Sequence, residues 1–480
     1  MSVLSELKPE KVFYYFEEIC RIPHGSFHTK EISDYCVTFA KERKLEVIQD
    51  EVGNVVIRKQ AAEGYEDSDP IILQGHLDMV CEKTPDSVHD FKKDGLELIL
   101  QDGFLSAKDT TLGGDDGIAV AMMLAILDSE DISHPALEAV FTTDEEVGMG
   151  GAQALDLEQL TGRMLINIDS EEEGFLTVGC AGGYRFDAGI PIEYAETDGC
   201  VLQIAIRGLT GGHSGMEIHK QRGNAHVLMG RLLNHLRKNF ALCLVDIAGG
   251  SKDNVIAMEN TARIAVSSED KVACIDRIKA MEQKWKAEFA QDEPDLTVEV
   301  TEDAAGQAFT EDSTERVIAY LAAMPDGVIS FERQIEGQVE TSLNAGIVKT
   351  KENCVVISHL VRSSVESKKE MLKERLQTMV QLAGGKGTVR DEYPAWSYRK
   401  DSRLRDIMTA VYQETYGKKP EVITIHAGLE CGLFVGKKPE LDCVSFGPDL
   451  LDVHSVKERM NIASVERSYN YLLEVLKAAR

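Results

Sequence analysis

Five short segments of this 480-residue chain carry histidine or carboxylate side chains where chemistry could be done. His76 and Asp78 lie two apart at the end of an apolar run, residues 71–77. Residues i and i+2 of a strand point to the same side, so both can face one site. A carboxylate beside a ligating histidine fixes its tautomer and orientation. Asp115 and Asp116 stand in Gly113–Gly114–Asp115–Asp116–Gly117, just before an apolar helix. One acid there reads as a helix cap; a second acid and three glycines suggest a functional turn. Asp144, Glu145 and Glu146 follow an apolar run with no basic residue to pair them. Adjacent glutamates can divide labour, one on a metal and the other taking a proton from the attacking water. Asp169 follows another apolar run, ahead of the acidic residues 171–173, and His454 comes after Gly447–Pro448. Each segment alone has an ordinary reading as a chance triplet, a cap, a solvated loop or a structural histidine. Together, two histidines and three carboxylates form a mixed N/O donor set that suits zinc, and manganese or cobalt less selectively. Two ions about 3.5–4 Å apart need a bridging carboxylate, and Asp115 is the natural candidate.

An α/β layer would bring these segments together. Strands at 71–77, 137–142 and 163–168 alternate with a buried helix at 118–127. That spacing predicts a mixed, largely parallel sheet flanked by helices, with ligands beyond the carboxyl ends of its strands. From about residue 188 the texture becomes α+β. A half-exposed strand at 201–207 precedes a helix at 222–239 and strands at 241–247 and 261–266. A helix at 271–289, strands at 295–300 and 355–361, and a helix from Ser367 partly repeat the pattern. A polar, Gly-rich stretch near 384–391 marks a second boundary. The α/β texture then returns, with a helix at 403–416, a strand at 443–446 and a final helix at 464–477 capped by Ser464. The expected organisation is one catalytic domain, residues 1–187 and 393–480, interrupted by an inserted α+β domain, residues 188–392.

Composition excludes several function classes. A formal charge of −29 repels phosphate backbones and anionic lipid, so neither nucleic acid nor membrane is an expected partner. No apolar stretch reaches the roughly 18–20 residues that span a bilayer. The N-terminal segment reads as an amphipathic helix and not as a secretory signal, which predicts a cytoplasmic location. No CxxC pair occurs among the ten cysteines. Cys20, Cys36, Cys180, Cys243 and Cys354 stand among apolar neighbours and read as buried, reduced thiols.

In this order, GHLDMV, TLGGDDGIAVA, TTDEEVGMGGA, NIDSEEEG and the late VHS resemble the co-catalytic zinc metallopeptidases, which include aminoacylases and glutamate carboxypeptidases. RIPHGSFHTKEISDY, TVGCAGG and GLTGGHSGMEIHKQRGNA further resemble the aminoacyl-histidine dipeptidase branch, and the similarity runs over nearly the whole chain. The resemblance implies that His76 and Asp169 hold one divalent ion, that Glu146 and His454 hold the other, and that Asp115 bridges them through a cis Asp115–Asp116 peptide. It makes Asp78 the group that orients His76 and Glu145 the general base. In the inserted domain, His213 becomes a lid histidine that contacts substrate or oxyanion. Asn260 and Arg362 become ligands of the substrate carboxylate, and Glu430 meets the amino end. The implied activity is hydrolysis of dipeptides, preferentially of the Xaa-His type such as β-alanyl-histidine, with a closing lid that excludes bulk water. Simple lids in relatives are shorter and dimerise; the recurrence of helix and strand here suggests a doubled lid, which leaves homodimerisation open. Two other readings remain: a deacylase of N-acyl amino acids, which would share every ligand, and a non-catalytic binding module, which would lack a ligand or the base.

Overall fold

The structure is a computed structural model that describes residues 3–304 and 306–480. Two units are distinguished. One runs to Gly179 and resumes over Tyr398–Thr424 and Leu429–Arg480; the other comprises Cys180–Ser397 with Ile425–Gly428.

Four strands at the centre of the first unit are parallel: Leu137–Thr142, Ile71–His76, Met164–Asn167 and Asp442–Ser445, in that spatial order. All their residues are buried, as expected of parallel strands covered on both faces. Antiparallel strands Glu46–Gln49 and Val55–Lys59 extend one side. Phe175–Cys180, antiparallel to Asp442–Ser445, and Glu421–Ile425 extend the other. The ladder continues past the strand ends, with the Leu77 amide donating to Thr142 O and the Ile168 amide to Gln74 O. This fixes the level at which each strand delivers its next residues.

The helix Gly114–Leu127 is buried on every side, so its sequence needs no polar face. It approaches Ile71–His76 at Gly75, where a Cβ would lie 2.5 Å from Asp116 Oδ2 and 2.8 Å from Ala119 Cβ. A separate small sheet, Leu450–Leu451, Arg459–Asn461, Phe104–Ala107 and Leu98–Gln101, holds the loop that carries His454. The last helix starts at Ile462. Asn461, not Ser464, is its cap, and its side chain accepts from the Ser464 amide. Ser464 Oγ instead accepts from the Asp449 amide.

The inserted unit contains one β-α-β-β-α-β order twice. The inner copy is Cys200–Arg207, helix Ala225–Arg237, Leu242–Gly249, Asn260–Val266, helix Lys271–Glu288 and Thr297–Asp303. The outer copy is Gly182–Pro191, helix Glu311–Ala323, Val339–Thr350, Cys354–Ser363, helix Glu366–Leu382 and Lys386–Tyr393. The whole inner copy lies between the first strand and the first helix of the outer one. Their sheets join edge to edge where Ala248 and Gly249 pair with Lys349 and Val348. One core, including Phe186, Leu232, Trp285, Phe309 and Leu376, underlies both copies.

Three details depart from the sequence expectation. Gly182–Pro191, which a boundary at 187/188 would cut, pairs along its length with Cys354–Ser363. The polar stretch near 384–391, read as marking a boundary, lies within the inserted unit, because Lys386–Tyr393 is an edge strand whose mostly exposed residues explain its polarity. The helix expected at 222–239 begins only at Ala225, after Asn224 accepts from the His226 amide. All ten cysteines are free, with Cys243 and Cys354 only partly buried. Among the described residues no helix is long and apolar enough to cross a membrane.

Candidate metal centre

The carboxyl ends of the parallel strands carry the chemistry. His76 ends its strand, Thr142 leads into Glu145 and Glu146, and Asn167 leads into Asp169. His76 Nδ1 lies 3.0 Å from the backbone carbonyl of Asp78. With the ring hydrogen donated there, the Nε2 lone pair faces Asp115 Oδ1 at 3.1 Å and Asp169 Oδ1 at 3.6 Å. His454 Nε2 faces Asp115 Oδ2 at 3.2 Å and Glu146 Oε1 at 2.8 Å. Thus each Asp115 oxygen addresses a different histidine, and each histidine nitrogen meets two carboxylates. A ring nitrogen has at most one hydrogen to share, so a cation at each position would satisfy this convergence. The triads His76–Asp116–Asp169, His76–Glu145–Glu146 and Asp115–Glu146–His454 each offer donor atoms within 4.8 Å of one another. The Asp115–Asp116 peptide is cis.

The charge balance points the same way. Burial pushes Glu145 up to about 8 and Glu430 to about 7 in the metal-free chain. Burial also raises Asp116 and Asp169 well above the carboxylate range, with neighbouring acids adding to it. Burial works against charge on Asp115, but hydrogen bonds to His454 and His76 hold it low. His454 is raised to about 11 by Asp115 and Glu146. Burial opposes a charged His76, yet Asp115 and Asp78 raise it as well. Among the described residues, only these two histidines form ion pairs with Asp115, Glu146 and Asp169. The surplus of buried acid over base is what two divalent cations would neutralise.

Several supporting residues take roles other than those expected. The Asp78 carboxylate stands 3.6 Å from His76 Nδ1 and favours its protonated ring, while the Asp78 carbonyl makes the closer, 3.0 Å contact with that nitrogen. Its Oδ1 accepts from the Glu145 amide at 3.0 Å, while Oδ2 accepts from Ser26 Oγ at 2.8 Å and the Glu146 amide at 3.3 Å. Asp78 therefore ties the histidine strand to the Glu145–Glu146 loop. Glu430 is fully buried and accepts from Gln74 Nε2 and Thr142 Oγ1. It braces two strand ends from below and presents no surface to a substrate's amino end.

The inserted unit groups its own polar residues. Its His213 Nδ1 accepts from the Gly215 and Met216 amides at 3.2 and 3.1 Å, which leaves the neutral ring's hydrogen on Nε2. Burial and then Arg362 lower its pKa. At Gly215 three groups meet: a Cβ there would lie 2.6 Å from His426 O, 3.1 Å from His213 Cε1 and 3.3 Å from Arg362 Nε. Arg362 gives Nη1 to Tyr393 OH and keeps a buried Nε with no partner. Sequence reading missed His426, because nothing local marks it. Asn260 has Nδ2 2.7 Å from His226 Nδ1 and a buried, unpartnered Oδ1.

Burial lowers His226 to about 4 and His359 and His426 to about 3. The unfolded chain binds these protons near the ordinary histidine value, about 6.5, and the folded unit does not. Their contribution to stability is therefore complete above that value and is lost as pH falls toward 3–4, by about 1 kcal/mol per group per pH unit. Urea titrations from pH 7 to pH 4.5 should show the midpoint falling steeply, and His359→Phe should flatten the slope.

Comparison with known proteins follows the same lines. Residues 72–478 match the Peptidase_M20 family, described as Peptidase family M20/M25/M40. The chain is 39% identical over 482 residues to the cytosol non-specific dipeptidase of Escherichia coli (strain K12), covering 99% of both. The crystal structure of aminoacylhistidine dipeptidase from Vibrio alginolyticus superposes with a TM-score of 0.95 at 38% identity, covering 99% of this chain and 98% of that one. Aminopeptidase PepT from Bacillus cereus, at 15% identity and a TM-score of 0.57 over 98% of this chain and 99% of that one, shares the fold alone.

Proposed function

Because the chain belongs to the M20/M25/M40 peptidase family, we propose that it hydrolyses dipeptides at a centre of two divalent ions held by His76, Asp115, Glu146, Asp169 and His454. The observation that carries this reading is the Asp115 carboxylate, one oxygen toward each histidine. Zinc is the proposed resident, since the donors are imidazole and carboxylate; manganese and cobalt accept the same set. Such ions would polarise the scissile carbonyl and lower the pKa of water to near neutrality.

The chain's own groups do the rest. Glu145 takes the proton of the attacking water and passes it to the leaving amine. Its burial-raised pKa of about 8 describes the metal-free chain, and neighbouring cations favour its ionised form. The Nε2 hydrogen of His213 suits a developing oxyanion. A guanidinium such as Arg362 forms a fork for a free carboxylate; Asn260 is a second candidate for it. Asp78 and Glu430 act by holding the loop and strand ends.

Arg362→Ala should raise KM for β-alanyl-histidine by roughly 10- to 100-fold, the worth of a charged hydrogen-bonded pair, and leave a C-terminally amidated dipeptide little changed. Equal losses on both would remove Arg362 from the carboxylate site.

The two full-length relatives differ in the breadth their names imply, one aminoacylhistidine and the other non-specific. We place this chain with the Xaa-His preference, acting on free small peptides in the cytoplasm; the "cytosol" in the E. coli relative's name supports that location. A panel of β-alanyl-histidine, other dipeptides and N-acetyl amino acids tests it. Turnover of the N-acetyl compounds alone would overturn the dipeptidase reading in favour of a deacylase.

A further inference from the structure

Glu458 is 3% exposed, and among the described residues no lysine, arginine or histidine pairs with it. Four consecutive backbone amides converge on its carboxylate. Oε2 accepts from Leu112 at 2.7 Å and Gly113 at 3.1 Å; Oε1 accepts from Gly114 at 2.8 Å and Asp115 at 3.4 Å. The left-handed Gly113, at φ +66°, lets the turn present its amides on one side. Successive amides curled this way form an anion-holding nest.

What the nest joins gives the arrangement its meaning. Glu458 lies in the same loop as His454, between Leu450–Leu451 and Arg459–Asn461. The turn it grips ends at Asp115, whose Oδ2 is 3.2 Å from His454 Nε2. A cap for the helix alone would need no residue from the His454 loop; a serine or asparagine beside Gly113 would serve. We propose that Glu458 is a positioning residue of the metal centre, a carboxylate tie that fixes the Asp115 side chain relative to His454. This rests on the metal-centre reading above.

Glu458 also lines a cavity of about 520 Å³ with Phe104, Val456 and Arg459, so its removal opens the nest to small anions. The test compares Glu458→Ala with wild type, both loaded with Mn²⁺, with and without formate; formamide is the neutral control, and formate on wild type corrects for inhibition. Expected are a folded variant, a kcat for β-alanyl-histidine about 10- to 100-fold lower, and a KM little changed. An exchange-coupled Mn²⁺ pair, expected by electron paramagnetic resonance in wild type, should give way to uncoupled ions. Formate, and not formamide, should restore both rate and coupling. A kcat equal to wild type, or a folded variant that formate leaves unchanged, overturns the proposal. If Glu458→Ala does not fold, Glu458→Gln is measured instead, and wild-type rate and coupling in it overturn the proposal as well. Failure of both variants to fold makes Glu458 a folding residue and equally overturns positioning. A wild-type protein with no coupled pair and no hydrolysis would overturn the metal-centre reading itself, a result distinct from all of these.

Discussion

Glu145→Gln should lower kcat for dipeptide hydrolysis by about 10²- to 10⁴-fold, the usual contribution of a general base, while both ions stay bound. The substitution keeps the shape and the amide that donates to Asp78 Oδ1. In the metal-free chain it removes a carboxyl that burial pushes toward its neutral form, so the melting temperature of metal-stripped protein should hold or rise. KM should change little, because the proton transfer is made only in the transition state. Steady-state kinetics with elemental analysis of the same preparation check this. A rate within tenfold of wild type at full metal content would take the base assignment away from Glu145.

Asp115→Ala should bring a larger and different loss. Without the shared carboxylate, the histidines no longer address one group, and the ion count should fall from two to one or none. Metal assistance is worth several kcal/mol, so hydrolysis should drop by about 10³-fold or more at 1.36 kcal/mol per decade. His454→Ala provides the contrast, since His454 Nε2 faces Asp115 and Glu146. It should lose one ion and keep the other near His76. Two ions retained in Asp115→Ala would show that Asp115 is no bridge.

How much of this was legible depended on whether a residue acts through its neighbours in sequence. His76, Glu146 and Asp169 follow apolar runs that become buried parallel strands, so their common edge could be read from the pattern. His454 needed the family resemblance, for a lone histidine after a short strand carries no signal. Glu458 was invisible because it works on backbone amides up to 346 residues away, and amides leave no mark in sequence. Asp78 was read as the carboxylate behind His76, where it stands at 3.6 Å; its closer carbonyl contact and its side chain's bonds to the Glu145–Glu146 loop could not be read. Glu430 was misread for lack of knowledge of burial; Gln74 and Thr142, which it bonds, look like ordinary strand residues. In the inserted unit the recurrence of elements was legible, but the nesting was not, since pairing of Gly182–Pro191 with Cys354–Ser363 crosses the whole inner copy.

That nesting sets an order of assembly on the ribosome. The inner copy, residues 200–303, can close as soon as it emerges, because its partners are near in sequence and such contacts form fastest. Gly182–Pro191 must wait, exposed, until Cys354–Ser363 arrives. Met164–Asn167 waits longer still, for Asp442–Ser445 to join it on its other side. The chain thus closes from the inside outward, and His454 and Glu458 are made after the whole inserted unit. A nascent chain stalled before them would hold the inserted unit but lack His454 of the proposed metal centre, so the second ion could be held only once that loop is made.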